Sequence, residues 1–379
     1  MRQPTEMTVP LVDLKAQYDS IRADVLAAIT RVCDSQQFIL GPEVELLEQE
    51  LAAYLSAKHA VGVSSGTDAL LAIMMGLGIG PGDEVITTTY SFFSAAGSIV
   101  RLGATPVFVD IDPATFNIDP DAARDAITSR TKAIVPVHLF GLSADLDPLL
   151  TATSGSGVSI IEDSCQAIGA RYKGRCVGAL GMAGGLSFFP SKSLGAYGDA
   201  GLIATNDEAL AEHLRSLRVH GAQPRYVHKR VGGNFRLDAI QAAVLRAKLP
   251  HLNQWCRARR EVADRYHQLF TNAGLEAFGV ELPVQPRDRW HTYHQYVVQT
   301  PRRDQLHTHL ESRGVGTAIY YPVPLHLQEC FASLGYSEGA FPKSENTART
   351  ALALPMYPEL TEDQQAYVVE MIAEYLRMS

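Results

Sequence analysis

Short apolar runs alternate with helix-like stretches from about residue 43 to about residue 250. Glu43 to Ala57 predicts a helix behind Gly41-Pro42. Val61-Gly62-Val63 predicts a short strand, and Ser64-Ser65-Gly66-Thr67 opens a helix running to about Leu77. Val85 to Thr88 reads as a strand, followed by a helix from Phe92 to Leu102. Val107-Phe108-Val109-Asp110, Ala133 to Val137, Val158 to Ile161, Leu186 to Phe189 and Leu202 to Thr205 complete a set of strand-length runs. Strands apolar along their whole length, with helices between them, predict a mostly parallel sheet buried on both faces. Leu237, Ile240, Val244 and Ala247 then recur at helical spacing in one stripe.

The pattern changes after Pro250. A long polar helix (Asn253 to Phe270) leads into a Pro-rich connector, Leu282 to Pro286. A smaller mixed region follows, with a strand at Tyr293 to Gln299 and a last helix at Glu362 to Leu376. The expected organisation is α/β: a large domain over 1–250 and a small C-terminal α+β domain over 251–379. A chain of 379 residues is long enough for two packed units.

Composition narrows the partners. Apolar residues at 46% and charged residues at 20% are ordinary for a globular protein. A net charge of −8 argues against nucleic acid and anionic membranes, which both reward basic patches. The basic runs Arg257-Ala258-Arg259-Arg260 and Pro286-Arg287-Asp288-Arg289 read as solvated faces. Met1 to Pro10 lacks the apolar core of a targeting segment. Ala69 to Ile79 is too short to span a bilayer and is broken by glycines. The five cysteines, Cys33, Cys165, Cys176, Cys256 and Cys330, are scattered with no Cys-x-x-Cys pair, which suits reduced thiols in the cytoplasm. The 12 histidines show no metal-ligand spacing, and His307 and His309 read as neighbours on a polar helix.

Candidate chemistry centres on Lys192. It lies in Ser187-Phe188-Phe189-Pro190-Ser191-Lys192-Ser193-Leu194-Gly195, a poor composition for an exposed charged face. Upstream, the strand Val158 to Ile161 runs into Glu162-Asp163-Ser164-Cys165-Gln166. A lysine can hold an aldehyde as a Schiff base, and an acid can keep a pyridine nitrogen protonated. The pairing points to pyridoxal phosphate. Ser64 to Asp68, between a strand and a helix, could hold the phosphate on free helix N–H groups, with Gly66 allowing close approach and Thr67 adding a hydroxyl. A plain N-cap is the commoner use of such residues. Ser187 is a second candidate phosphate donor, Phe92 could stack on a flat ring, and Gln166 could reach a ring hydroxyl.

Five segments in order resemble one family. They are Ser-Gly-Thr-Asp-Ala-Leu (65–70), Thr-Tyr-Ser-Phe-Phe-Ser (89–94), Glu-Asp-Ser-Cys-Gln-Ala (162–167), Ser-Phe-Phe-Pro-Ser-Lys (187–192) and Gly-Gly-Asn-Phe-Arg-Leu-Asp (232–238). Together they resemble the DegT/DnrJ/EryC1/StrS family of sugar aminotransferases. The likeness extends from Val12-Asp13-Leu14 through Leu354-Pro355-Met356. It implies an aspartate aminotransferase-like fold, pyridoxal 5'-phosphate as cofactor, and a homodimer with shared sites. By matching position it implies that Lys192 carries the cofactor covalently and shuttles a proton, and that Asp163 pairs with the ring nitrogen. Gln166 would face the ring hydroxyl, Phe92 would stack, and Gly66, Thr67 and Ser187 would hold the phosphate. Asn234 would reach the phosphate from the other subunit. Arg236, also from the partner, and Tyr320 with Tyr321 would face a nucleotide-linked sugar. Cys165 and Ala200 depart from residues common in the family, at positions without a catalytic side chain.

The resemblance implies transfer of an amine from L-glutamate to a nucleotide-linked keto-hexose. The Tyr226-x-His228 and Tyr320-Tyr321-Pro322 stretches look closer to enzymes acting on a 3-keto than on a 4-keto sugar. Two alternatives stand beside it. One is another enzyme of the same fold, a lyase or a desulfurase, for which Cys330 is the cysteine placed most plausibly. The other is a regulatory relative without turnover.

Overall fold

The computed structural model describes residues 7–378. The expectation drawn from Met1 to Pro10 concerns residues that mostly lie outside this range. Strands follow in chain order as β1 (His59–Val63), β2 (Glu84–Thr88), β3 (Thr105–Val109), β4 (Thr131–Val135) and β5 (Ser159–Asp163). Next come β6 (Arg171–Tyr172), β7 (Arg175–Cys176), β8 (Ala183–Ser187) and β9 (Gly201–Thr205). The last three are β10 (Arg289–Trp290), β11 (Tyr296–Gln299) and β12 (Ala351–Leu354).

One sheet has the order β1-β9-β8-β5-β4-β2-β3. Its β3, β2, β4, β5 and β8 run parallel, while β9 is antiparallel to both β8 and β1. The mostly parallel sheet is therefore present, with β9 reversed inside it. Alternation along β9 sends Leu202 and Ala204 to one face and Ile203 to the other. On the first face they meet Leu47, Leu51 and Leu55 of the helix Pro42–Leu55. On the second, Ile203 meets Leu70 and Ile73 of the helix Gly66–Gly76. Covering both faces with helices is what makes each strand apolar along its length.

Local findings differ from the sequence expectation, among them Arg259, which is buried instead of lying on a solvated basic face. A helix at Leu14–Ser35 was not expected; Asp13 caps it by accepting from Ala16 N at 3.0 Å. Its Ile21, Val25, Ala28 and Val32 pack on Val244, Trp255, Ala239 and Ala243. The β8 strand ends at Ser187, so Phe188 and Phe189 belong to the loop that carries Lys192. The strand expected from Tyr293 begins only at Tyr296. Tyr293 has a left-handed φ of 48°, and Thr292 N donates to Gly141 O at 3.0 Å instead of joining a ladder.

The region after Pro250 has its own core. Tyr266 and Phe270 of the helix Leu252–Ala273 pack with Tyr296, Val298, Leu306, Leu352, Val368 and Ile372. Val9, from the other end of the chain, joins the same core, and its backbone is stitched to Gly314 and Gly316. No helix among the described residues is long and apolar enough to cross a membrane.

Candidate active site

The carboxyl ends of β5 and β8 lie side by side, with Asp163 opposite Gly185 and Ser187 two residues further on. In open α/β sheets this edge is where ligands bind. The helix Gly66–Gly76 starts at the same place. Ser65 caps it by accepting from Asp68 N at 3.0 Å. The first helix N–H groups, at Gly66 and Thr67, have no partner within the helix. Ser64 Oγ donates to Asp68 Oδ2 at 2.6 Å and fixes the turn from below. A Cβ on Gly66 would come within 2.7 Å of both Cys165 Sγ and Ser187 Cβ, so only glycine lets these segments meet. Gly66, Thr67 and Ser187 are thus gathered around one helix start, an arrangement suited to a phosphate.

Neighbouring acids on β5 have opposite fates, because consecutive strand residues face opposite sides. Glu162 points into the interior. It accepts from His138 Nε2 at 3.0 Å and from the backbone N–H groups of Gly178 and Gly181 at 2.7 and 2.9 Å. Burial alone would raise its pKa, but these donors hold it below the usual value. Asp163 faces the site. It is buried, accepts from Cys165 N at 3.1 Å, and forms no salt bridge with any described residue. Burial pushes its carboxyl up from the ordinary value, against the Cys165 hydrogen bonds and the positive charge of Lys192. A buried carboxyl of this kind is matched to a protonated ring nitrogen, which would supply the missing positive partner.

Lys192 is held on a tight loop. Its N–H donates to Phe189 O at 2.8 Å, and Ala196 N donates to Phe188 O at 2.7 Å. A Cβ on Gly195 would lie 2.2 Å from Pro190 O, so glycine is needed for the loop to close. Beneath it, buried Lys248 donates to Gly195 O at 2.6 Å, and burial lowers the Lys248 pKa to about 8. Lys192 itself is half-buried. Burial lowers its pKa, opposed by Cys165 and Asp163.

Residues from several elements converge on Gln166. Its Oε1 accepts from Phe140 N at 2.8 Å, and its Nε2 donates to Tyr321 Oη at 3.0 Å. The Tyr321 ring lies 6.4 Å from that of Phe92, which is exposed. Tyr90, fully buried, holds the 320–321 peptide by accepting from Tyr321 N at 2.9 Å and donating to Tyr320 O. Tyr320 is half-buried, its ring 5.8 Å from that of Tyr321. Sequence reading did not single out His294, yet its Nε2 lies 3.5 Å from Lys192 Nζ. No spacing rule links His294 to Lys192, since they come from different regions of the fold.

Asn234 and Arg236 sit apart from this group. Ser64 N donates to Phe235 O at 3.0 Å, and Arg236 bridges to Val63, which sets the segment beside the end of β1. The Asn234 side chain is exposed. Arg236 Nε is buried without a hydrogen-bond partner. No hydrogen bond or salt bridge among the described residues joins either side chain to Lys192, Asp163 or Gln166. Cys330 is exposed and also lies outside the group.

The mostly parallel sheet, the lysine loop and the buried acid without a salt bridge define an aspartate aminotransferase-like, pyridoxal phosphate-dependent enzyme. The model of the DegT/DnrJ/EryC1/StrS aminotransferase family matches residues 19–373, and the chain belongs to that family. It is 51% identical over 374 residues to the pleiotropic regulatory protein of Geobacillus stearothermophilus, covering 98% of this chain and 99% of that one. It is 45% identical over 367 residues to dTDP-3-amino-3,4,6-trideoxy-alpha-D-glucose transaminase of Streptomyces venezuelae, covering 97% and 96%. The crystal structure of S. venezuelae DesV in complex with a ketimine intermediate is similar with a TM-score of 0.93 at 44% identity, covering 97% of this chain and 98% of that one.

Proposed function

We propose that the protein transfers an amino group from L-glutamate to a nucleotide-linked keto-hexose, with a ketone at C3 favoured over C4. The observation that carries this reading is Asp163, buried without a salt bridge at the end of β5, electrostatically coupled to Lys192. The name of the Streptomyces venezuelae relative supports the sugar and the position of its ketone. Pyridoxal phosphate, when bound, supplies the electron sink that stabilises negative charge on the carbon losing a proton. Lys192 holds and moves that proton on its ε-amine, and a lowered pKa keeps the amine ready to accept it. Asp163 keeps the ring nitrogen protonated. Gln166 would anchor the ring hydroxyl, Phe92 would stack on the ring, and Gly66, Thr67 and Ser187 would hold the phosphate.

In this reading two copies share each site. Asn234 of the partner subunit reaches the phosphate, and Arg236 of the partner subunit meets the sugar nucleotide, which gives its unpaired Nε a use. The domain over 251–379 brings Tyr320 and Tyr321 to cofactor residues carried by 1–250. The setting is cytoplasmic, in keeping with five unpaired cysteines.

Visible absorption tests the proposal. Protein loaded with pyridoxal phosphate should show a band that L-glutamate bleaches and a nucleotide-linked 3-keto sugar restores. A band indifferent to glutamate excludes that donor. Lys192→Ala should keep the cofactor without a covalent link and lose about a thousandfold or more in turnover. Full activity in that variant ends the assignment. The name of the Geobacillus relative favours a second reading, a regulatory role. Binding of a nucleotide-sugar with no consumption of glutamate would select it.

A further inference from the structure

We propose that His294 is a positioning residue for Lys192, donating its Nε2–H to the lone pair of the free lysine amine and so holding that amine in its proton-accepting form. The inference rests on Lys192 being the proton carrier. The two side chains are 3.5 Å apart, Nε2 to Nζ, at the long end of hydrogen bonding and of the kind that tightens when a site fills.

The direction of the bond follows from the other ring nitrogen. His294 is 7% exposed, and its Nδ1 is buried with no partner. Burial, then the charges of Lys192 and Arg259, hold the His294 pKa well below 6.5, so the ring is neutral with one N–H and one lone pair. An N–H on Nδ1 would be an orphaned buried donor, rarer and costlier than an orphaned lone pair. The proton therefore belongs on Nε2, facing Lys192. An ammonium group has three donors and no lone pair, so it cannot accept this bond, whereas the neutral amine can. The contact thus favours the uncharged lysine.

The ring is held firmly enough for such a role. Arg259 Nη1 donates to Tyr293 O and His294 O at 3.3 and 3.4 Å, and to Met356 O at 2.8 Å. Gln295 N donates to Phe140 O at 3.3 Å, and a Cβ on Gly141 would lie 2.9 Å from His294 N. The same 140–141 corner holds Gln166. The other titratable groups facing the pair are Asp163 and Cys165 beside Lys192, and Arg259 behind His294.

Competitive acylation of the cofactor-free protein across pH, read by mass spectrometry on the Lys192 peptide, measures the lysine pKa directly. His294→Phe keeps the burial and removes the N–H. It should raise that pKa by about one unit, the shift of one net hydrogen bond, leaving roughly tenfold less uncharged amine at neutral pH. H294Q returns an N–H donor and should recover part of the shift. An unchanged or lowered value in His294→Phe overturns the proposal. If that variant does not fold, 15N–1H spectra of the histidines in the wild-type protein decide: an Nε2–H tautomer for His294 upholds the inference and an Nδ1–H tautomer overturns it. Neither measurement uses cofactor or substrate, so failure here is distinct from failure of the proposed reaction.

Discussion

The two halves of this site are built differently. Asp163, Ser187 and Gly66 stand at strand ends and a helix start, where the sheet itself sets their positions. Tyr321 and His294 come from irregular chain after Pro250 and are held by long-range hydrogen bonds to Tyr90, Gln166 and the Phe140–Gly141 corner. Charge sits in the first half and orientation in the second. Changes in the first half should therefore act on turnover, and changes in the second on how well the parts are aligned.

Among changes that break the comparison between the halves, the largest effect is expected from Asp163→Asn. It keeps the shape and the Cys165 contact but loses the charge, and turnover should fall about a hundredfold or more. Stability should move the other way. The folded pKa of Asp163 is raised, so the unfolded chain gives up this proton first. Stability then falls as pH rises from the unfolded pKa toward the folded one, and the cost persists above it. At neutral pH the cofactor-free variant should accordingly melt at a higher temperature than wild type. A lower melting temperature would mean that Asp163 is a structural acid like Glu162, and the contrast between the halves would weaken.

Legibility in the sequence follows the same division. Lys192, Asp163 and Gln166 could be read because a strand end fixes local geometry over a few residues. Glu162 and Asp163 could not be told apart by composition; only the alternation of β5 separates an interior acid from a site acid. The helix Leu14–Ser35 was missed because its buried stripe at Ile21, Val25, Ala28 and Val32 is thin and set among polar residues. His294 was hidden in an apparent strand. A left-handed Tyr293 and backbone bonds to residues 140–141 turn it toward Lys192, and such tertiary constraints leave no periodic trace.

Lys248→Met probes the support under the lysine loop. The Gly195 carbonyl loses its buried donor, and cofactor affinity should drop about tenfold. Its pH signature is specific. The folded pKa is about 8 and the ordinary value 10.5, so between them the unfolded chain holds a proton that the folded chain has lost. Wild-type stability should gain from this group as pH rises from 8 to 10.5, and the variant should lack that gain. Thermal unfolding at several pH values reads both. Equal pH slopes in the two proteins would show that burial does not hold the Lys248 amine below its ordinary pKa.

Tyr321→Phe should have the smallest effect and tests the second half most directly. The ring stays, so the contact with Phe92 and the backbone grip of Tyr90 on the 320–321 peptide are kept. Only the hydroxyl that accepts from Gln166 Nε2 is lost. Gln166 remains tethered through its Oε1 to Phe140, so the amide loosens without leaving. One hydrogen bond of this kind amounts to roughly threefold to tenfold. That loss should appear in cofactor affinity and turnover together, without a shift in the pH profile, because no charge is removed. A loss as large as that of Asp163→Asn, or a displaced pH optimum, would show that Tyr321 handles a proton itself. The C-terminal half would then be doing chemistry as well as alignment.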